Sequence, residues 1–194
     1  MTERLDQLLA AGPPLRADDW SLSDPVLALV VAEVEAGART IVECGSGRST
    51  VVIARLLREL GEGTVHSLEH DPHWADSTRG ALAGEGLERA TVITAPLERG
   101  WYARVALAEL PVGIDLLLID GPPAGEPELR RSRHPALPEI GPRLARGATI
   151  VLDDAYRVGE TEALQFWQEG YPVHFELQAE SRAATARWQV YVGP

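Results

Sequence analysis

Residues Thr40–Thr50 read T-I-V-E-C-G-S-G-R-S-T, and this stretch decides the fold. The branched apolar pair Ile41-Val42 favours a buried strand. It runs into Glu43 and Cys44, then into Gly45-Ser46-Gly47. A strand that stops on two closely spaced glycines must turn sharply, and a backbone without Cβ atoms lets a ligand approach it. The helix expected next, Thr50–Leu60, opens with free amides and the positive end of its dipole toward the same place.

Outward from that turn, strands and helices alternate. Upstream, helices are expected over Glu3–Ala11 and over the segment from Ser23–Asp24 to Gly37, with Pro25 in its first turn. Downstream, Thr64–Glu69 is a second strand, Pro72–Gly84 a helix and Thr91–Thr94 a short third strand. Ile114–Asp120, I-D-L-L-L-I-D, is an almost unbroken apolar run, as expected of a fourth strand covered on both faces. A helix near Ala136–Ala145 carries Pro138 and Pro142. A-T-I-V-L-D-D (148–154) is the fifth strand, and Glu160–Gly170 a helix. V-H-F-E-L-Q (173–178) and A-R-W-Q-V-Y-V-G (186–193) then form an antiparallel hairpin. Alternation of this kind builds an α/β, doubly wound, mostly parallel sheet with helices on both faces. At 194 residues this is one globular domain, with residues 1–38 as an N-terminal helical lid over residues 39–194.

Composition narrows the partners. A formal charge of -11 disfavours nucleic acid and anionic membranes. All 18 basic residues are arginine, so no lysine base or Schiff base exists. Cys44 is the only cysteine, which excludes an intrachain disulfide and a cysteine-held zinc; its place at a strand end reads as a buried small hydrophobe. No secretory leader and no bilayer-length apolar run stand in the sequence, so a cytoplasmic location is expected.

Ligands of doubly wound sheets bind beyond the carboxyl ends of the strands. Four of the five expected strands end on acids: Glu43, Glu69 with His70-Asp71, Asp120, and Asp153-Asp154. Buried charge is costly unless paired, so this clustering points to chemistry rather than packing. An acid at the end of the second strand can accept from both ribose hydroxyls, and with the glycine turn it indicates an adenosine-type cofactor. A dinucleotide fingerprint would need a third glycine at Thr50, and Glu43 would repel a pyrophosphate. A cationic aminoacyl group suits Glu43.

V-E-C-G-S-G-R-S-T, S-L-E-H-D, L-L-L-I-D-G-P-P and G-A-T-I-V-L-D-D-A-Y-R, spanning about Thr40 to Arg157, resemble the motifs of class I S-adenosylmethionine-dependent methyltransferases. Ser49 stands where their first motif has a third glycine. The resemblance implies a Rossmann-like methyltransferase fold. It places the methionyl part of the cofactor on Gly45, Ser46 and Gly47, with Glu43 beneath and Ser49 and Asp120 close by. Glu69 would hold the ribose, His70 would flank the adenine, and Pro96 would cover the adenine edge.

One acid after the fourth strand and a pair after the fifth also resemble the catechol and caffeoyl-coenzyme-A O-methyltransferases. There, Mg²⁺ would be held by Asp120, Asp153 and Asp154, hard oxygen ligands suited to it. Those enzymes place a lysine base after the fourth strand. This chain has Pro122-Pro123 there, so His134 or one of the two strand-five acids, Asp153 or Asp154, is the candidate base, with Asp120 also among the candidate catalytic residues; the commoner reading of His134 is a surface-loop histidine. Arg130, Arg131 and Arg133 suit either an anionic substrate group or the nearby Glu126 and Glu128. Trp20 suits a wall of the substrate pocket, with Trp101-Tyr102 next.

The expected activity is O-methylation of a small molecule, with magnesium assistance as the second resemblance implies. The alternatives are a non-catalytic adenosyl-ligand module and an N-methylating or sugar-tailoring enzyme on the same frame. The exposed edge of the terminal hairpin leaves room for a homodimer.

Overall fold

The computed structural model describes residues 3–15, 17 and 20–189. Its strands are β1 (Thr40–Cys44), β2 (Thr64–Glu69), β3 (Ala90–Thr94), β4 (Leu97–Glu98), β5 (Trp101–Tyr102), β6 (Ile114–Ile119), β7 (Leu144–Leu152), β8 (Glu176–Gln178) and β9 (Ala183–Arg187). Its helices are α1 (Glu3–Ala10), α2 (Asp24–Glu35), α3 (Arg48–Leu60), α4 (Pro72–Gly84), α5 (Arg104–Leu107), α6 (Ala136–Ile140) and α7 (Val158–Gly170).

β1 lies inside a seven-stranded sheet of order β3-β2-β1-β6-β7-β9-β8. The first five of these strands run parallel; Val42 sits opposite His66 of β2 and Leu117 of β6. β9 inserts antiparallel between β7 and β8, closing the terminal hairpin. The chain reverses direction across the sheet between β1 and β6, which opens a crevice at their carboxyl ends.

Side-chain alternation divides the core in two. Ile41, Leu116, Leu118 and Val151 face α1 to α4, where Leu5, Leu8, Val26, Val30 and Val52 are fully or almost fully buried. Val42, Cys44, Leu117, Ile119 and Ile150 face the other way, against Leu137, Ala163 and Trp167. Cys44 is fully buried, as its position in the strand indicated.

Several boundaries differ from the sequence reading, each for a local reason. α3 begins at Arg48, two residues early, because Thr50 Oγ1 accepts from Gly47 N at 3.0 Å and draws the glycine turn into the cap. The helix expected to reach Ala145 ends at Ile140; Pro142 has no N–H to continue it, and a 3-10 turn, Gly141–Arg143, leads into β7. The second hairpin strand is Ala183–Arg187 rather than a run from Ala186, and residues 190–193 of that expectation lie outside the described residues. The β4–β5 hairpin and α5 were not foreseen at all.

Candidate functional site

A cavity of about 720 Å³ opens at the carboxyl edge of β1, β2, β6 and β7. Gly45, Ser46, Gly47 and Ser49 form one side of it, Glu69 and His70 another, and Asp120, Asp153 and Asp154 a third.

The glycine turn is held from below. Gly45 and Gly47 have φ of 101° and 148°, conformations that side chains disfavour. Glu43 shares the strand face of Ile41 and therefore points at α3, not into the cavity. It is fully buried and accepts hydrogen bonds from the Ser49 hydroxyl, from Thr50 Oγ1 at 2.7 Å and from Ser67 Oγ at 2.8 Å. Burial raises its pKa, and the three hydroxyls partly offset that. One acid thus ties the end of β1 to the first turn of α3.

Glu69 closes the turn from the side. Its Oε2 accepts from Ser46 N at 3.0 Å and Ser46 Oγ at 3.1 Å, and its Oε1 from Asp71 N at 3.0 Å. His70 Nδ1 lies 3.0 Å from the same Oε1. Burial pushes the Glu69 pKa up, but these donors, His70 foremost, outweigh it and hold it below the usual carboxylate range; His70 is raised in return. Asp71 caps α4, accepting from His73 N at 2.8 Å.

The third wall is charged and dense. One carboxylate oxygen each of Asp120, Asp153 and Asp154 lie within 4.8 Å of one another. Arg133, only 4% exposed, enters behind them. Its guanidinium donates to the backbone carbonyl of Asp120 and, at 3.2 Å each, to those of Pro122 and Asp153. It lies 3.6 Å from Asp120 Oδ1, 3.9 Å from Asp154 Oδ2 and 3.4 Å from Glu160 Oε1. Arg157 pairs with Asp154 at 2.8 Å. With all of them ionised, the four carboxylates of Asp120, Asp153, Asp154 and Glu160 would outnumber the guanidiniums of Arg133 and Arg157 by two negative charges. Burial raises Asp120 well above the usual range and raises Asp153 as well, and Arg133 opposes both shifts; Asp153 raises Asp120 further, Asp154 raises Asp153, and the hydrogen bond from Asp120 lowers Asp153. Three hard oxygen donors and a surplus of two charges fit a divalent cation.

Not every residue singled out from the sequence reaches the cavity. Glu43, Pro96 and His134 do not line it. His134 Nε2 lies 3.2 Å from the Gly159 carbonyl, and its ring stacks on Phe166. A ring nitrogen facing a carbonyl carries the proton and is a donor there. Arg130 and Arg131 pair with Glu162 at 3.7 and 3.1 Å rather than with Glu126 or Glu128. Trp20 and Tyr102 line the cavity; Trp101 does not. The sequence reading missed Arg133 as a buried charge, because nothing in R-R-S-R-H separates it from its neighbours, and it missed Glu160 behind it.

A parallel doubly wound sheet with its last strand inserted antiparallel, a glycine turn after β1 and an acid ending β2 make up the architecture of class I methyltransferases. The family of methyltransferase domains matches residues 42–155, more than half of the chain, and the chain belongs to it, among the S-adenosylmethionine-dependent class I methyltransferases. No curated protein sequence matches the chain. Among solved structures, the fold is shared with an O-methyltransferase from Bacillus cereus in complex with SAH (20% identity, TM-score 0.65, covering 97% of this chain and 92% of that one). It is shared also with the SAH-bound methyltransferase PaMTH1 of Podospora anserina (17%, 0.69, 96% and 86%). A third is the O-methyltransferase TomG of Streptomyces achromogenes, involved in tomaymycin synthesis, in complex with SAM (17%, 0.63, 97% and 91%).

Proposed function

We propose that the chain binds S-adenosylmethionine and methylates an oxygen of a small molecule bearing two neighbouring oxygens, with Mg²⁺ at the acid cluster. One observation carries the reading: the glycine turn, Glu69 and the Asp120–Asp153–Asp154 cluster share one cavity of about 720 Å³.

When bound, the cofactor would supply a methyl already activated on a sulfonium, and an ion held by Asp120, Asp153 and Asp154 would lower the pKa of an acceptor hydroxyl. The chain's own residues position and move protons. Gly45, Ser46 and Gly47 offer backbone to the methionyl group. Glu69 already accepts four hydrogen bonds, so ribose hydroxyls would replace its two side-chain donors, Ser46 Oγ and His70 Nδ1. Ser46 Oγ has a second partner in Thr78 Oγ1 at 3.2 Å to turn to. Glu43 acts through Ser49 and Thr50 as a positioning residue for the turn. The proton that the acceptor hydroxyl loses would pass to Asp153 or Asp154, the carboxylates at the end of β7 that line the cavity. Orientation of the reacting groups then provides much of the rate.

Of the N-terminal segment to Ala38, proposed as the lid over residues 39–194, Trp20 to Ser23 reach the cavity, while α1 and α2 pack in the core. Among the described residues no helix is long and apolar enough to cross a membrane; the cytoplasmic location rests on the sequence reading. A homodimer, if formed through the free edge of β8, is likewise part of the proposal.

Calorimetric titration with S-adenosylhomocysteine tests the cofactor site. Binding in the micromolar range, lost in Glu69→Ala, is expected. Methyl transfer to catechol, followed by mass spectrometry, should then need Mg²⁺ and fall by about 10²-fold or more in Asp153→Asn. No binding by the unaltered protein overturns the cofactor reading. Binding with transfer indifferent to EDTA overturns the metal.

A further inference from the structure

The β4–β5 hairpin, which no periodicity announced, places in the core a side chain whose hydroxyl the fold leaves unpartnered. Tyr102 is 2% exposed, and its hydroxyl has no hydrogen-bond partner among the described residues. Yet it belongs to the cavity wall. Its surroundings explain why it is alone. A Cβ on Gly121 would meet the Tyr102 hydroxyl at 2.5 Å and Gly45 N at 3.0 Å, so the phenol lies where the glycine turn and the turn after β6 approach each other. Both backbone donors at that point are already taken: Gly45 N donates to Leu68 O at 2.9 Å, and Gly121 N to Cys44 O at 2.6 Å.

The ring cannot swing out to water. Tyr102 pairs with Leu97 across the hairpin, Ala103 N donates to Pro96 O at 2.8 Å, and the Trp101 ring packs edge-on at 4.9 Å. Buried hydroxyls in folded proteins are almost always partnered. A rigid, buried, unpartnered phenol on the wall of a cavity therefore marks a contact completed by what enters the cavity. Its position between Gly45 and Gly121 sets which part of the ligand that is. It is neither the ribose end, at Glu69, nor the acceptor side, at Asp153 and Asp154.

We propose that the Tyr102 hydroxyl hydrogen-bonds the amino-acid end of the bound cofactor, an α-amino-acid group carried on an adenosyl thioether or sulfonium. This rests on the S-adenosylmethionine reading above and adds a positioning residue to it. Gly121 is then glycine because any side chain there would fill the space the phenol uses.

The test compares two ligands and one variant by calorimetry: S-adenosylhomocysteine, which has the amino-acid group, and 5′-methylthioadenosine, which lacks it. For Tyr102→Phe, S-adenosylhomocysteine should bind about tenfold more weakly while methylthioadenosine binds unchanged. Without ligand, the variant should melt at the same temperature as the parent or higher, because an unpartnered buried hydroxyl has been removed. Equal weakening of both ligands, or no weakening of either, overturns the proposal. So does a lowered melting temperature without ligand, which would mean that the hydroxyl has a partner within the protein. If the unaltered protein binds neither ligand, the cofactor reading itself has failed, and the two failures are distinguishable.

Discussion

Glu43 shows how a single residue joins strand to turn. Three hydroxyls from three positions converge on its buried carboxylate, so Glu43→Ala would leave Ser49, Thr50 and Ser67 without their acceptor. A loss of about 2–4 kcal/mol in urea denaturation is expected, since buried groups left unsatisfied cost more than a bond gains. Weaker binding of S-adenosylhomocysteine should accompany it as the turn loosens. An unchanged urea midpoint would contradict this account. The sequence did show that an acid belongs here, and strand alternation shows its direction once Ile41 is known to face the helices. It could not show which arginine of Arg130, Arg131 and Arg133 is buried. Three identical side chains in one loop differ only in what the folded chain brings behind them, and Glu160 comes from α7, a separate element.

At the scale of elements, one buried side chain ties down the end of the N-terminal helix. Arg55 of α3 is fully buried and forms a two-bond pair with Glu85, at 2.9 and 2.6 Å. It also donates to Leu8 O at 2.9 Å and Leu9 O at 3.2 Å, in the last turn of α1, and to Pro13 O at 2.9 Å just beyond it. Arg55→Met would leave Glu85 buried and unpaired, for which a loss of about 3–5 kcal/mol is expected. Limited proteolysis should then release the chain between Ala11 and Leu15 before the core is cut. Adding Glu85→Leu should recover part of the loss, because the uncompensated charge goes with it. A variant as resistant and stable as the parent would show that apolar packing of Leu5 and Leu8 alone holds α1. The long elements were legible because each repeats its period several times. β4 and β5 have two residues each, too few for any period, and that is why the hairpin bearing Tyr102 came only with the structure.

For the whole molecule, the decisive quantity is proton uptake on folding. Burial is the leading cause that raises Glu43, Asp120, Asp153 and Glu160 above the ordinary carboxylate range, and pairing with Glu69 raises His70. A group raised in the folded state holds its proton at pH values where the unfolded chain has released it. Stability then falls as pH rises through the folded pKa. His66 and His134, lowered chiefly by burial, work the other way below their ordinary value. Glu69, lowered, matters only as pH falls below the ordinary carboxylate range. Four carboxyls and His70 outnumber the two opposing histidines, and relief of a charge of -11 acts in the same sense. In EDTA the melting temperature should therefore be about 2–6 °C higher near pH 5.5 than near pH 8. On the proposed metal reading, Mg²⁺ would compete with protons for the carboxylates of Asp120, Asp153, Asp154 and Glu160. It should raise the melting temperature near pH 8, do little near pH 5.5, and so flatten the profile. Asp153→Asn should flatten the EDTA profile in part and abolish the response to Mg²⁺. A profile in EDTA that climbs from pH 5.5 to pH 8 would mean that burial does not raise these acids in the folded protein.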